Sequence, residues 1–174
     1  MFLSTSEHTA DAKNRVSVPA SYREALRNDP YDAIYVLPHF DGPYLECGGE
    51  QFVQQYRMDI ANLPRYDPLR KDLEVAILGS IRRLDFDSTG RVTLPKEFIT
   101  HAGIEGRCAF VGCDSHFQIW NAQTHADRLG NIRGRLAARL ADPAEAERMG
   151  GGADLGSLLR DSESLQALLK GEKL

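Results

Sequence analysis

The sequence predicts a β-rich α+β fold with internal pseudo-two-fold symmetry and flanking helices. Three observations carry that expectation. Asp11-Ala12-Lys13-Asn14-Arg15-Val16-Ser17-Val18-Pro19 recurs 76 positions on as Asp87-Ser88-Thr89-Gly90-Arg91-Val92-Thr93-Leu94-Pro95. After each copy come short runs rich in β-branched and aromatic residues, broken by turn residues. Between and beyond the copies, apolar residues fall at helical spacing. A repeat of this kind marks two copies of one small unit, neither able to bury its core alone.

Each copy reads as strand, strand, helix and hairpin. An extended segment enters the polar turn Asp11–Arg15 or Asp87–Arg91, and a short strand leaves it, Arg15–Val18 or Arg91–Leu94. Pro19 or Pro95 then opens a helix, where its missing N–H costs nothing. These helices are expected over Ala20–Arg27 and Lys96–His101, ended by Asp29-Pro30 and by Ala102-Gly103. The first hairpin is Ile34–Leu37 with Tyr44–Cys47, turning at Asp41-Gly42-Pro43. The second is Cys108–Cys113 with Phe117–Trp120, turning at Asp114-Ser115. Helices are expected over Gly49–Ile60, over Pro68–Leu78 after Asn62-Leu63-Pro64, and over residues 121–148, with Asn121 as N-cap. Gly150-Gly151-Gly152 reads as a hinge to an amphipathic leucine tail. The expected organisation is a first repeat over 1–66, a second over 67–148, and the hinge and tail over 149–174.

The 174 residues are 42% apolar and 26% charged, an ordinary soluble composition. The longest aliphatic run, Val75-Ala76-Ile77-Leu78, is far too short to span a bilayer, and Glu7 and His8 interrupt any signal-like start. Three cysteines form no disulfide framework, which fits a reducing cytoplasm. The net charge of −4 argues at first against nucleic acid. Its distribution reverses that reading. Residues 31–78 hold Arg57, Arg65, Arg70 and Lys71 against eight carboxylates and carry the whole excess. Basic residues crowd the tight loops instead: Lys13 and Arg15, then Arg82, Arg83 and Arg91.

The turn chemistry is specific. Gly90 before Arg91 indicates a positive φ, and Asn14 at the matching place is the next most tolerant residue. Both are expected to have positive φ. Asp11 and Asp87 can accept from backbone N–H groups two residues on and fix the turn. That leaves each arginine projecting from a rigid hairpin. A two-stranded ribbon fits the major groove of DNA, where arginine is the commonest reader of guanine.

Met1-Phe2, the segment Glu7–Ala20, Tyr22-Arg23-Glu24-Ala25-Leu26 and the second Asp-x-x-Gly-Arg copy resemble the MraZ family over roughly residues 1–145. The resemblance implies a double-split barrel of two fused, pseudo-symmetric AbrB-like swapped-hairpin repeats. It implies a bacterial transcriptional regulator that assembles into homo-oligomeric rings. Such a regulator binds short double-stranded DNA repeats upstream of the division and cell-wall gene cluster, in the cytoplasm at the nucleoid. The implied DNA contacts are Lys13 and Arg15, with Arg91 in the second half; Arg83 is a further candidate. Asp11, Asn14, Asp87 and Gly90 shape the loops. Three departures stand out: Leu3-Ser4 replaces the family's usual Arg-Gly, Asn14 replaces Gly, and Thr89 stands where Lys13 has its match. The missing lysine favours the first loop as the main contact.

Rival readings follow from other residues. Arg15 and Arg91 could pair with Asp11 and Asp87, surface pairs worth about 0–1 kcal/mol. Asp85-Phe86-Asp87-Ser88-Thr89 matches the Asp-x-Asp-x-Thr string of haloacid-dehalogenase-like phosphatases, whose first Asp is the nucleophile. Against it, Ile81-Arg82-Arg83-Leu84 is a poor buried strand, and the repeat keeps Asp87 but drops Asp85. Cys108, Cys113 and His116 have loose metal-ligand spacing with no evident fourth ligand. An antitoxin-like protein-binding module would use residues 150–174 as its tail. Trp120, Phe117 and Tyr44 are expected in the core or in subunit contacts. The reading carried forward is a DNA-binding regulator, not an enzyme, with no cofactor, metal, membrane or small-molecule substrate.

Overall fold

A computed structural model describes residues 1–141. It is α+β, as expected. The order is β1 (Thr5–Thr9), β2 (Arg15–Ser17), α1 (Ala20–Ala25), β3 (Ala33–Pro38), β4 (Tyr44–Gly48), α2 (Glu50–Ala61) and α3 (Pro68–Leu73). It continues with β5 (Arg82–Asp85), β6 (Arg91–Thr93), α4 (Lys96–Ala102), β7 (Arg107–Cys113), β8 (His116–Asn121) and α5 (Ala122–Ala141). The strands of both repeats lie within one compact unit, Met1–Ala122; all of α5 but its first residue belongs to a second unit that begins at Gln123. The Gly150–Gly152 hinge, the leucine tail and positions 142–148 of the expected last helix lie outside the described residues.

The strands form a six-stranded antiparallel sheet in the order β1-β7-β8-β4-β3-β5, and a separate two-stranded ribbon of β2 and β6. That order is a palindrome of the two repeats. Each repeat's first strand leaves its own hairpin and pairs with the other's: Glu7 lies opposite Ala109, and Leu84 opposite Ile34. The central pair β4 and β8 joins the hairpins, with Leu45 opposite Ile119. The edge strands β1 and β5 carry charge, which discourages further pairing. Arg107 pairs with Glu7 across β1 and β7, and Arg82 pairs with Glu97.

Packing follows the alternation of side chains across a strand. Val16 and Val92 face each other across the ribbon and are almost wholly buried. They join Val18, Leu94, Ile34, Val36, Leu45, Phe110 and Ile119 in one core drawn from both repeats. Phe2, Tyr22, Phe110 and Phe117 add an aromatic cluster with centroids 5.0–6.4 Å apart. Tyr22 and Phe98 occupy matching places on α1 and α4, and both are buried. Gly103, at φ 59°, ends α4 in the left-handed conformation. The expected core residues Trp120, Phe117 and Tyr44 are all buried.

The first repeat supports a second, smaller core. Phe52 and Ile60 of α2 pack with Leu37 and Ile77. Asp67 caps α3 by accepting from the Leu69 N–H at 2.9 Å, ahead of Pro68. The helix expected to run through Leu78 instead widens into a π-helical turn over Glu74–Leu78. Glu46, on the fully covered strand β4, is buried, so its carboxylate needs partners. It accepts from the Tyr56 hydroxyl at 2.5 Å and meets His116 Nε2 at 3.1 Å. Among the described residues, no helix is long and apolar enough to cross a membrane.

Because the repeats exchange strands, they should unfold together. Urea unfolding followed by fluorescence of Trp120, the single tryptophan, should coincide with loss of far-ultraviolet circular dichroism. Leu45→Ala should shift that one transition by about 2–5 kcal/mol. Two separated transitions would contradict the shared core.

Candidate functional site

The two Asp–Arg loops meet across the β2–β6 ribbon. Arg15 lies opposite Thr93, Val16 opposite Val92 and Ser17 opposite Arg91. Directly opposed residues share a face, and so do residues two apart on one strand. With Val16 and Val92 turned into the core, Arg15, Ser17, Arg91 and Thr93 all lie on the outward face. Ser17 and Thr93 are exposed there. The arginines occupy diagonal corners, a separation of roughly 7–8 Å in sheet geometry.

Each loop is tied by its aspartate. Asp11 Oδ1 accepts from the N–H groups of Lys13 at 2.8 Å and Arg15 at 3.0 Å. Asp87 Oδ1 accepts from Thr89 at 2.8 Å and Arg91 at 3.0 Å. Asn14 and Gly90 have φ of 59° and 76°, the positive values expected of both. The residue in that conformation then reaches across the pseudo-two-fold. Asn14 O accepts from the Leu94 N–H at 2.9 Å, and Gly90 O from the Val18 N–H at 3.2 Å. The loops are therefore equivalent in shape and lock the ribbon from both ends. Ser4, at the place of the family's usual glycine, also has positive φ, at 73°.

The arginines do not simply project. Arg15 folds back so that Nε lies 2.7 Å and Nη2 2.6 Å from Asp11 Oδ2. Arg91 Nε lies 2.8 Å from Asp87 Oδ2. The pairing weighed as a rival to DNA contact is thus present, but it uses one side of each guanidinium. About a third of each arginine side chain is exposed. The bond from Arg15, helped by backbone N–H groups, pulls the Asp11 carboxyl down to about 2. The Thr89 hydroxyl, donating to Asp87 at 2.7 Å, does most to hold Asp87 below the usual carboxylate range. Asp11 raises the Arg15 guanidinium, and Asp87 adds to that across the ribbon. Lys13 is exposed and makes no ion pair among the described residues.

Arg83 keeps other company. On β5 it pairs with Asp85 at 3.2 Å and lies 4.8 Å over the Tyr31 ring. Asp85, the would-be phosphatase nucleophile, is that ion-pair partner, and both oxygens of Asp87 are engaged within its loop. Cys108 and Cys113 stand five apart on β7, so their side chains leave opposite faces. Their sulfurs face the carbonyls of His8 at 3.6 Å and Val111 at 3.8 Å, while His116 pairs with Glu46. No group of three His, Cys, Asp or Glu among the described residues is placed to hold a metal.

Sequence reasoning missed Arg23. It stands on α1, exposed, and donates from Nε to the Val18 carbonyl at 3.3 Å. Its guanidinium lies over Gly90: a Cβ added there would meet Cζ at 2.6 Å. Gly90 is consequently buried, whereas Asn14 is half-buried. The signal was available in the repeat itself, because the position matching Arg23 on α4 is Ile99.

The MraZ family model, described as "MraZ protein, putative antitoxin-like", matches residues 1–31 and 77–140. Those segments contain both loops and both ribbon strands. The chain is 38% identical over 157 residues to a transcriptional regulator MraZ of Caulobacter vibrioides, covering 88% of this chain and all of that protein. It is 38% identical over 153 residues to one from Phenylobacterium zucineum, covering 81% of this chain and 95% of the other. A third, from Rickettsia canadensis, is 37% identical over 133 residues, covering 76% and 89%. With the doubled loop, the ribbon and these alignments in agreement, the chain belongs to the MraZ family.

Proposed function

We propose that this chain is a sequence-specific DNA-binding transcriptional regulator. The observation that carries the reading is the outward ribbon face, where Arg15 and Arg91 stand at diagonal corners with Ser17 and Thr93. Its relatives bear the name transcriptional regulator. The ribbon enters the major groove, the free guanidinium edges read guanine, and Lys13 binds phosphate. The finer fold is a double-split barrel of two AbrB-like swapped-hairpin repeats, supported by the palindromic strand order. The target is the set of short repeats upstream of the division and cell-wall gene cluster, read at the nucleoid in the cytoplasm.

The aspartates act as positioning residues. An unrestrained arginine loses about 2 kcal/mol of rotamer entropy when it is fixed. Asp11 and Asp87 impose much of that order before DNA arrives, so less is lost on binding. They also offset positive charge, which keeps attachment to arbitrary phosphates weak. A chain of net charge −4 with so few loop cations holds DNA poorly as a single copy. Tight binding then comes from several copies on one ring meeting several repeats, through effective concentration. Arg83, held by Asp85 and Tyr31, is at most a peripheral contact in this arrangement.

Arg15→Ala should weaken binding to a promoter duplex carrying the repeats by about 1–3 kcal/mol per engaged subunit. A gel shift reads this directly, and wild-type affinity and specificity in the variant would refute the site. The clamp has its own signature. A carboxyl depressed in the folded state contributes stability that is full above its ordinary value and lost as pH falls through its folded value. For Asp11 that window runs from 3.8 down to about 2. Carboxyl carbon NMR should show Asp11 titrating near 2, still ionised at pH 3. A midpoint near 3.8 would mean that Arg15 is not held.

A further inference from the structure

We infer that Arg23, on α1, is a second phosphate-binding group of the Asp87–Arg91 loop and stands in for the lysine that this loop lacks. The inference rests on the DNA-binding reading above and extends it to a residue outside both loop motifs. It begins with an asymmetry. The first loop carries Lys13 and Arg15, whereas the second carries Thr89 and Arg91. Thr89 is not an idle substitute, since its hydroxyl donates to Asp87 and stiffens the turn. The second loop is therefore as well ordered as the first but one cation short.

The pseudo-two-fold sets the helix of one repeat beside the loop of the other. Val18, which leads into α1, is bonded to Gly90, and Leu94, which leads into α4, is bonded to Asn14. On α1 the residue that comes down onto the loop is Arg23; its match on α4 is Ile99. The guanidinium occupies the space that a side chain at position 90 would fill. Glycine there suits the positive φ and leaves open the space that the guanidinium takes. At position 14 a side chain is tolerated, consistent with its half-buried state.

Arg23 shares a surface pocket with Glu24, Asp29, Asp32 and Asp87 but is clamped by none of them. Its Nε is used by the Val18 carbonyl, and no carboxylate among the described residues forms an ion pair with it. The neighbouring Arg27, by contrast, pairs with Glu24 at 2.6 Å. An exposed, anchored and unpaired guanidinium beside a groove-binding loop has the chemistry of a phosphate contact. Such a contact adds affinity and carries no base information. With it, the second loop matches the first as a two-cation contact, and the two loops share the DNA load.

The test measures the affinity of the full chain for a fluorescein-labelled promoter duplex by anisotropy across a salt series. Arg23→Gln should weaken binding about five-fold per engaged subunit near 0.15 M salt and reduce the salt slope by about one. Arg23→Lys should keep most of both. Combining Arg23→Gln with Arg91→Ala should cost less than the sum of the two, because they serve one loop, while combining it with Lys13→Ala should be additive. A lower melting temperature with an unchanged salt slope would make Arg23 a packing residue and overturn the inference. If the unsubstituted chain binds no duplex, the function itself fails. If it binds, and Arg91→Ala weakens it while Arg23→Gln does not, only this inference fails.

Discussion

Everything in this molecule turns on three residue pairs, the β2–β6 ribbon. One face of it, Val16 against Val92, is the centre of the core shared by the two repeats. The other face holds Arg15 and Arg91. Because side chains alternate strictly, burying the valines obliges the arginines to face outward. A slip of either strand by one residue would bury its arginine and expose its valine, so the core enforces the register that turns both arginines outward. The carbonyls of Asn14 and Gly90 close the ribbon from both ends. Folding and site geometry are thus one constraint.

The charge of the site is arranged on the same economy of space. The chain is acidic overall, and the excess sits in residues 31–78, a stretch that the family match largely skips. The ribbon keeps its arginines in place with carboxylates whose two oxygens are both engaged. Asp11 gives one oxygen to two backbone amides and the other to Arg15. Those bonds hold the Asp11 carboxylate ionised, with its titration depressed to about 2. The same bonds that shape the loop aim the arginine, which is why the motif needs Asp and Arg four residues apart.

Much of this was legible in the sequence. The repeat, the order strand–strand–helix–hairpin and the helix at Glu50–Ala61 follow from local pattern and turn chemistry. The exchange of Asn14 for Gly90 was readable as a shared left-handed turn, since few other residues tolerate it. What was not legible is what depends on distant partners. Nothing local says that β1 leaves its own repeat to pair with β7, or that β5 pairs with β3. Local reading offers both a projecting arginine and an Asp–Arg pair; the structure shows that one aspartate does both jobs, one oxygen on the backbone and the other on the arginine. For Arg23 the sequence offers only the mismatch with Ile99, because its partner, Gly90, is 67 positions away and belongs to the other repeat. The π-helical turn at Glu74–Leu78 carries no Pro or Gly to announce it.

The central claim is that the ribbon face is where DNA lands. Amide hydrogen exchange of the full chain, with and without a promoter duplex carrying the repeats, tests it most directly. Protection on binding should concentrate in residues 11–17 and 87–93, in both copies and to similar extents. Protection centred instead on α2, α3 or the β5 edge, with the ribbon loops unchanged, would contradict the account.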